Sequence, residues 1–442
     1  MSGSAAPLPR AAGEPPVYRP FALLAFAVAL VAGVPLGIWM LARLYLGGGP
    51  IPPAWLPLHA HLQVFGFFGV LILGVAQHLV PRFAGRPVTR GPASVWLFGA
   101  VSAAVLARVA GTIAGRPGWV LAATLVEAGA FLGFAAWVWR SLAAPPLSVT
   151  RTHLGLGAGW LVAALAAEAV LRWRALGPEG AEPDPAGMRA VYLAGLLGGV
   201  VGWIVGVALR AGPMFVPGWR VPGALARGAP WALALGVLTA VAGELGPWDA
   251  STATALAKLG ESVGLATVAA VALAGGLLRR APRALPILGR GGPETRTFRL
   301  AVLSAALAAA GSATAAALAW RSIPLSLLAD ALRHLTTVGF LTAMVVGMVF
   351  RLVPVFEGVP LPWPGLRAVA FWALLAGVLL RTGEVLADYG AGAILPWLPL
   401  SGGLVWGALA CVALNLVGAL RQRARGDTPV PRGATTPPVT RG

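Results

Sequence analysis

HLQVFGFFGVLILGVAQHLVPRFAGRP (61–87), LAGLLGGVVGWIVGVALRAGPMFVPGW (193–219) and HLTTVGFLTAMVVGMVFRLVPVFEGVP (334–360) read as one helix written three times. Counted from the first residue of each, glycine recurs at +5 (Gly66, Gly198, Gly339) and at +13 (Gly74, Gly206, Gly347). Proline recurs at +20 (Pro81, Pro213, Pro354), and Phe83, Phe215 and Phe356 follow two residues later. The copies are spaced by about a third of the chain, so the spacing predicts three related four-helix units, 20–151, 152–298 and 299–420, within a single membrane domain. Two copies begin with a histidine and the middle one with leucine, and two histidines at equivalent depth are expected to converge on one metal.

Working outward, the composition is that of an all-α polytopic membrane protein. Hydrophobic residues make up 58% of the 442 residues and charged ones 11%, and apolar runs of about twenty residues, enough to cross about 30 Å of hydrocarbon, recur along the chain. Twelve transmembrane helices are expected, near 20–43, 57–80, 93–114, 118–140, 153–172, 190–210, 229–247, 252–278, 299–320, 326–350, 366–386 and 396–420. Residues 1–19 read as a disordered lead with no cleavable signal, and 421–442 as a disordered cytoplasmic tail.

The formal charge is +18, but its distribution excludes a nucleic-acid footprint. Arginines gather in alternate loops: Arg82, Arg86 and Arg90; Arg140 and Arg151; Arg210, Arg220 and Arg227; Arg279, Arg280, Arg283, Arg290, Arg296 and Arg299; Arg421, Arg423 and Arg425. The intervening loops carry acids such as Glu179, Glu182, Asp184, Glu244, Asp249 and Asp388. A positive-inside bias therefore places both termini in the cytoplasm, in a bacterial or archaeal inner membrane, with the basic loops against anionic membrane lipid. The single cysteine, Cys411, forms no internal disulfide and reads as a small core residue.

With termini inside, His61 and His334 fall in the first turns of spans 2 and 10, about 6–12 Å below the outer surface. Costly polar side chains at that depth point to function. A second correspondence accompanies them. Twenty-three residues beyond Gly85 lies Arg108, and twenty-three beyond Gly358 lies Arg381, whereas the same count in the middle unit reaches Ala240. The unit without the histidine also lacks the arginine. A haem fits both residue types, imidazole for the iron and guanidinium for the propionates. The expected cofactor is one bis-histidine haem b on His61 and His334, since no CxxCH motif would attach it covalently, with Arg381 and Arg108 on the propionates. Asp330, at i−4 from His334, either accepts the outward ring N–H or pairs with Arg333.

HAHLQVFGF (59–67), LARVAG (106–111) and RHLTTVGFLTAMVVG (333–347) resemble the NnrS family, twelve-span membrane haem proteins linked to nitric oxide and denitrification. More distantly they resemble the catalytic subunit of haem-copper oxidases and nitric oxide reductases. That resemblance implies twelve helices in three arcs and a low-spin haem held by histidines of helices 2 and 10, at His61 and His334 here. It also implies copper beside haem, for which His59 is a candidate second-metal ligand, since it lies about 200° around the helix from His61. The chain departs from the pattern as well. Residues 189–290 contain no histidine, Leu332 replaces the second histidine of helix 10, and Leu62 stands where the family has glutamate. The oxygen-reducing copper site is therefore expected to be absent, and with it water-forming oxidase turnover.

Other polar residues read less sharply. His78 and His153 lie at predicted cytoplasmic helix ends and would meet if spans 2 and 5 are neighbours. Glu127, Glu168 and Glu261 are acids within spans, and nothing in their spacing makes them a set. Gln63, Thr336 and Thr337 read as backbone-satisfying groups. Two function classes result: a membrane haem protein handling electrons or a diatomic gas such as nitric oxide, with an unknown electron donor, and a twelve-span secondary transporter with structural histidines. Transporters of the commonest twelve-span fold repeat in halves, so a repeat in thirds favours the haem protein.

Overall fold

The computed structural model describes residues 16–143, 147–176, 182–215, 219–278, 292–324 and 326–425. Most of the N-terminal lead, the tail beyond 425, and Glu179, Arg279, Arg280, Arg283 and Arg290 lie outside the described residues. Among the described residues there are twelve helices long and apolar enough to span a membrane. They run Tyr18–Tyr45, Trp55–Phe83, Pro92–Ile113, Pro117–Ser141, Ser148–Arg174, Pro185–Pro213, Gly223–Leu245, Ala250–Ala274, Pro293–Trp320, Leu327–Glu357, Leu366–Tyr389 and Gly392–Arg425, and are called spans 1 to 12. Each coincides with an expected segment.

Spans 2, 6 and 10, which carry the repeated sequence, form the inside of the bundle. Their most apolar windows are 78%, 83% and 72% buried, against 22–56% for the other nine. Sequence neighbours pack in series around them. Large apolar side chains such as Val31, Trp96, Leu106 and Trp173 are left on the outer surface, where lipid is as good a solvent for them as a core.

Each inner span carries a π-helical stretch at the same place in the repeat. Leu62–Gly69, Ala194–Val201 and Leu335–Thr342 each begin one residue after the first residue of their copy and run for eight. Span 1 has a shorter one, Val28–Gly33, just before Pro35. A proline donates no backbone N–H, and the carbonyl five residues earlier, that of Leu30, instead accepts from Trp406 Nε1 of span 12 at 2.8 Å. The segments after spans 2 and 10 turn on Gly85 and Gly358, both at φ +67°, at the same offset of twenty-four from His61 and His334.

Spans 7 and 8 approach backbone to backbone. A Cβ on Gly236 would lie 2.7 Å from the Gly260 carbonyl oxygen, and one on Gly243 2.5 Å from the Ala257 nitrogen. In hydrocarbon, where burial of apolar side chains gives helices no reason to associate, such close approach supplies the packing. Span 8 starts on Asp249, whose carboxylate accepts from the Ser251 and Thr252 N–H groups. The Thr252 hydroxyl, its backbone N–H and those of Ser251 hold that carboxyl below its ordinary range.

Candidate functional site

All the acid, histidine and arginine positions singled out near the beginnings of spans 2 and 10 lie at the end of the bundle that carries the loops joining odd to even spans. They form two separate clusters. The first is built on His61, which is fully buried. Its Nε2 lies 2.9 Å from Glu127 Oε2 of span 4, and its Nδ1 3.1 Å from Glu168 Oε2 of span 5. Arg108 of span 3, 1% exposed, reaches across both acids: Nη1 donates to Glu168 at 2.7 Å, and Nη2 donates to Thr124 Oγ1 at 2.7 Å and to Glu127 at 3.2 Å. Arg172, one turn beyond Glu168, donates to it at 2.7 Å. Two carboxylates thus face two guanidiniums, and the imidazole is wedged between the acids.

The second cluster is built on His334. Its Nδ1 donates to the Asp330 backbone carbonyl at 3.0 Å, with Asp330 Oδ1 at 3.5 Å. The Asp330 carboxylate also accepts from Arg333 at 2.8 Å and from Arg381 of span 11. Arg381 contacts Glu384, which is buried, one turn on. Ligand-type atoms of Asp330, His334 and Glu384 lie within 4.8 Å of one another, but the guanidinium of Arg381 contacts both acids, so the group is an ion-pair network rather than a cation cage. The Nε of Arg381 is buried without a hydrogen-bond partner among the described residues.

His59 belongs with this second cluster. It is within electrostatic reach of Asp330 and Arg381, and its Nδ1 donates to the Gly33 carbonyl of span 1 at 2.9 Å. Gly37, one turn on, leaves room for the ring: a Cβ there would lie 2.8 Å from His59 Cε1 and 3.5 Å from Nε2. Gln63 packs its amide over Gly33 in the same way.

The Nδ1 of His61 is hydrogen-bonded to Glu168, whereas its Nε2, 2.9 Å from Glu127 Oε2, makes no hydrogen bond among the described residues. Arg108 donates to Glu168 and to Glu127 in this structure. The Asp330 carboxylate pairs with Arg333, while the His334 ring N–H goes to the Asp330 backbone carbonyl and not to its side chain. His61 and Arg108 share the carboxylate of Glu127, and His334 and Arg381 share that of Asp330. Glu127 and Glu168, unlinked in sequence, prove to be partners; Glu261 is elsewhere, bonded to Lys258 at 2.8 Å.

His78 and His153 do not meet. His78 packs between the rings of Tyr18 and Phe356 at 5.4 and 4.1 Å, near the buried Glu357 that Tyr18 and Arg19 bind. His153 faces the Ala226 carbonyl of span 7 at 3.1 Å. Thr336 and Thr337 bond backbone carbonyls one turn earlier, as expected.

Twelve spans, with three inner helices surrounded by the rest, define a protein with the haem-copper oxidase fold. The solved structure of a haem-copper terminal oxidase dimer superposes with a TM-score of 0.67 over 91% of this chain and 84% of that one, at 14% identity. The chain belongs to the NnrS family, whose profile matches residues 17–423. No curated protein sequence matches it. Family and fold together make it a multi-span membrane protein.

Proposed function

We propose that this chain is a b-type haem protein of the cytoplasmic membrane, handling nitric oxide or electrons, and that its haem is held between His59 of span 2 and His334 of span 10. One observation carries the assignment. Each of these imidazoles gives its Nδ1–H to a backbone carbonyl, Gly33 for His59 and Asp330 for His334. That fixes the tautomer with Nε2 unprotonated, the state an iron ligand requires. His61, by contrast, has at its Nδ1 the carboxylate of Glu168 and not a backbone carbonyl, with Glu127 Oε2 2.9 Å from its Nε2. The glycine cradle at Gly37 fits the same reading, because a methyl group there would crowd the Cε1–Nε2 edge of His59. Bound haem would supply the iron for electron transfer or gas binding. The residues of this chain orient it: Gly33 and Asp330 aim the two imidazoles, and the unused Nε of Arg381 is a buried donor suited to a propionate oxygen.

Both termini on the cytoplasmic side, a repeat in three units and the lack of an oxidase copper site belong to the same proposal. The common offset of the three π-helical stretches supports the repeat, and the lack of any histidine in 189–290 supports the last.

Single alanine variants test the ligands. His59→Ala and His334→Ala lose the bis-imidazole low-spin spectrum of the purified protein, and His61→Ala keeps it. Loss of that spectrum in His61→Ala with full retention in His59→Ala would return the span 2 ligand to His61. Colourless protein from haem-replete cells would remove the haem reading altogether and leave the transporter.

A further inference from the structure

At the end of the bundle away from the histidines, where the loops join even to odd spans, three arginines stack on aromatic rings. Arg82 lies over Phe356 at 5.9 Å, Arg351 over Phe298 at 5.6 Å and Arg151 over Trp139 at 4.2 Å. The two phenylalanine rings are 3% and 4% exposed, so those stacks belong to the bundle's own packing. Trp139 is 49% exposed. It stands near the end of span 4, seven residues from Leu132 and fourteen from Leu125 and thus on their side of the helix, and both leucines are more than half exposed. That is the side turned to lipid.

The ring is fixed in place there. It lies on Gly155 of span 5, where a Cβ would come within 2.5 Å of Cε3 and 2.6 Å of Cζ3. Arg151, one turn before Gly155, lays its guanidinium over the same ring, so the cation is held at the bilayer boundary and not turned out into water. It has no counter-charge. Arg151 makes no ion pair among the described residues, and its Nε is buried without a hydrogen-bond partner. Arg140, next to Trp139, gives its Nε–H to the Ala136 carbonyl and also has no acid among the described residues. The two acids described at this end are already taken, Glu357 by Tyr18 and Arg19 and Glu294 by Arg367.

We propose that Arg151, Trp139 and Arg140 form a binding site for the headgroup of one anionic phospholipid on the lipid-facing side of spans 4 and 5. The Arg151 guanidinium donates to the phosphate oxygens, Arg140 adds a second positive charge, and the exposed indole face packs against the apolar part of the lipid below the headgroup. That indole favours a lipid over dissolved phosphate, because it offers apolar surface to an acyl chain and nothing to a free ion. The site is independent of the haem.

The test is native mass spectrometry of the full chain released from nanodiscs that contain phosphatidylcholine and phosphatidylglycerol. The wild type retains phosphatidylglycerol in preference to phosphatidylcholine. Arg151→Met weakens that retention about fivefold, the worth of one cation beside an anionic headgroup, and Trp139→Leu, which keeps every charge, weakens it as well. Arg90→Met removes a cation from a loop at the same end that stacks on no ring, and retention is unchanged. Equal retention of the two lipids by the wild type overturns the proposal. So does a loss in Arg90→Met as large as in Arg151→Met, which would mean diffuse surface charge, or full retention in whichever of Arg151→Met and Trp139→Leu folds. Displacement of the lipid from the wild type by inorganic phosphate would make this a site for a dissolved anion and overturns the lipid assignment.

Discussion

Replacing Arg108 with methionine keeps the volume and length of the side chain and removes the charge from a cluster buried in four helices. Arg108 meets Glu168 at 2.7 Å and Glu127 at 3.2 Å. At an effective dielectric of about 20, attractions at these separations are worth about 6 and about 5 kcal/mol before desolvation is subtracted. Arg172 still covers Glu168 in the variant, so the loss falls on Glu127, which keeps only His61. Stranding one partner of a buried pair costs about 3–5 kcal/mol, and Arg108→Met is expected in that range. The double variant Arg108→Met/Glu127→Gln leaves Glu168 with Arg172 and nothing uncompensated. It recovers about 1–3 kcal/mol relative to the sum of the single changes, the coupling expected of side chains in one network. Equilibrium unfolding of the purified protein in mixed micelles measures all three. A loss below about 0.5 kcal/mol in Arg108→Met, or strict additivity in the double variant, would show that solvent or lipid headgroups reach the cluster and that the charges are not held as described.

Four further outcomes follow from particular contacts. Gly37→Ala, which sets a methyl group against the edge of His59, lowers haem content while leaving the fold intact; unchanged content by pyridine haemochrome assay removes His59 from the site. Arg381→Leu lowers the reduction potential of the haem or loses it, and Arg381→Lys does so less, because a nearby cation disfavours the ferric iron; a redox titration with no shift at full occupancy assigns Arg381 to packing with Asp330 and Glu384 alone. Trp406→Phe orphans the Leu30 carbonyl, for a cost of about 1–3 kcal/mol in the same unfolding assay, and a neutral result would mean that lipid or water reaches that carbonyl. The Asp249 cap has a lowered folded-state pKa, so its contribution is complete above the ordinary carboxylate range and disappears as pH falls through the folded value. Asp249→Ala therefore differs from the wild type in melting temperature at pH 7, and the gap closes toward pH 3; a gap that does not change with pH would argue that the cap does not act through its charge.

The fold was legible because its signals are local. Twenty-residue apolar runs announce spans, and the glycine and proline spacing of three of them identified the helices that lie inside. The site was legible only within a unit. His61 and Arg108, or His334 and Arg381, are linked by the repeat, and the structure does pair their surroundings. The acids that complete the first cluster were not linked to it, because Glu127 and Glu168 sit on spans 4 and 5 at no fixed spacing from His61, and only packing brings them together. The proposal of His59 over His61 also goes beyond sequence. Equivalence in the repeat favoured His61, whereas the direction a side chain faces depends on which neighbour each side of span 2 receives, and Gly33 and Gly37, which receive His59, lie on another helix.

The π-helical stretches have a consequence for length variation within the inner helices. An α-helix advances about 100° per residue, so a stretch that accommodates one extra residue turns everything beyond it by that amount relative to a continuous α-helix. Deleting one residue from Leu62–Gly69 would let the segment close into α-helix with hardly any change in how far the span reaches. The faces of its two halves would also stay in phase, because the residue removed is the one the widened turns absorb, and Gly74 would keep its place against the ring of Phe21. A one-residue deletion in a plain α-helical stretch instead turns everything beyond it by about 100°. The same arithmetic holds at Ala194–Val201 and Leu335–Thr342, so in the inner spans a one-residue deletion is expected to be tolerated inside these stretches and rejected outside them.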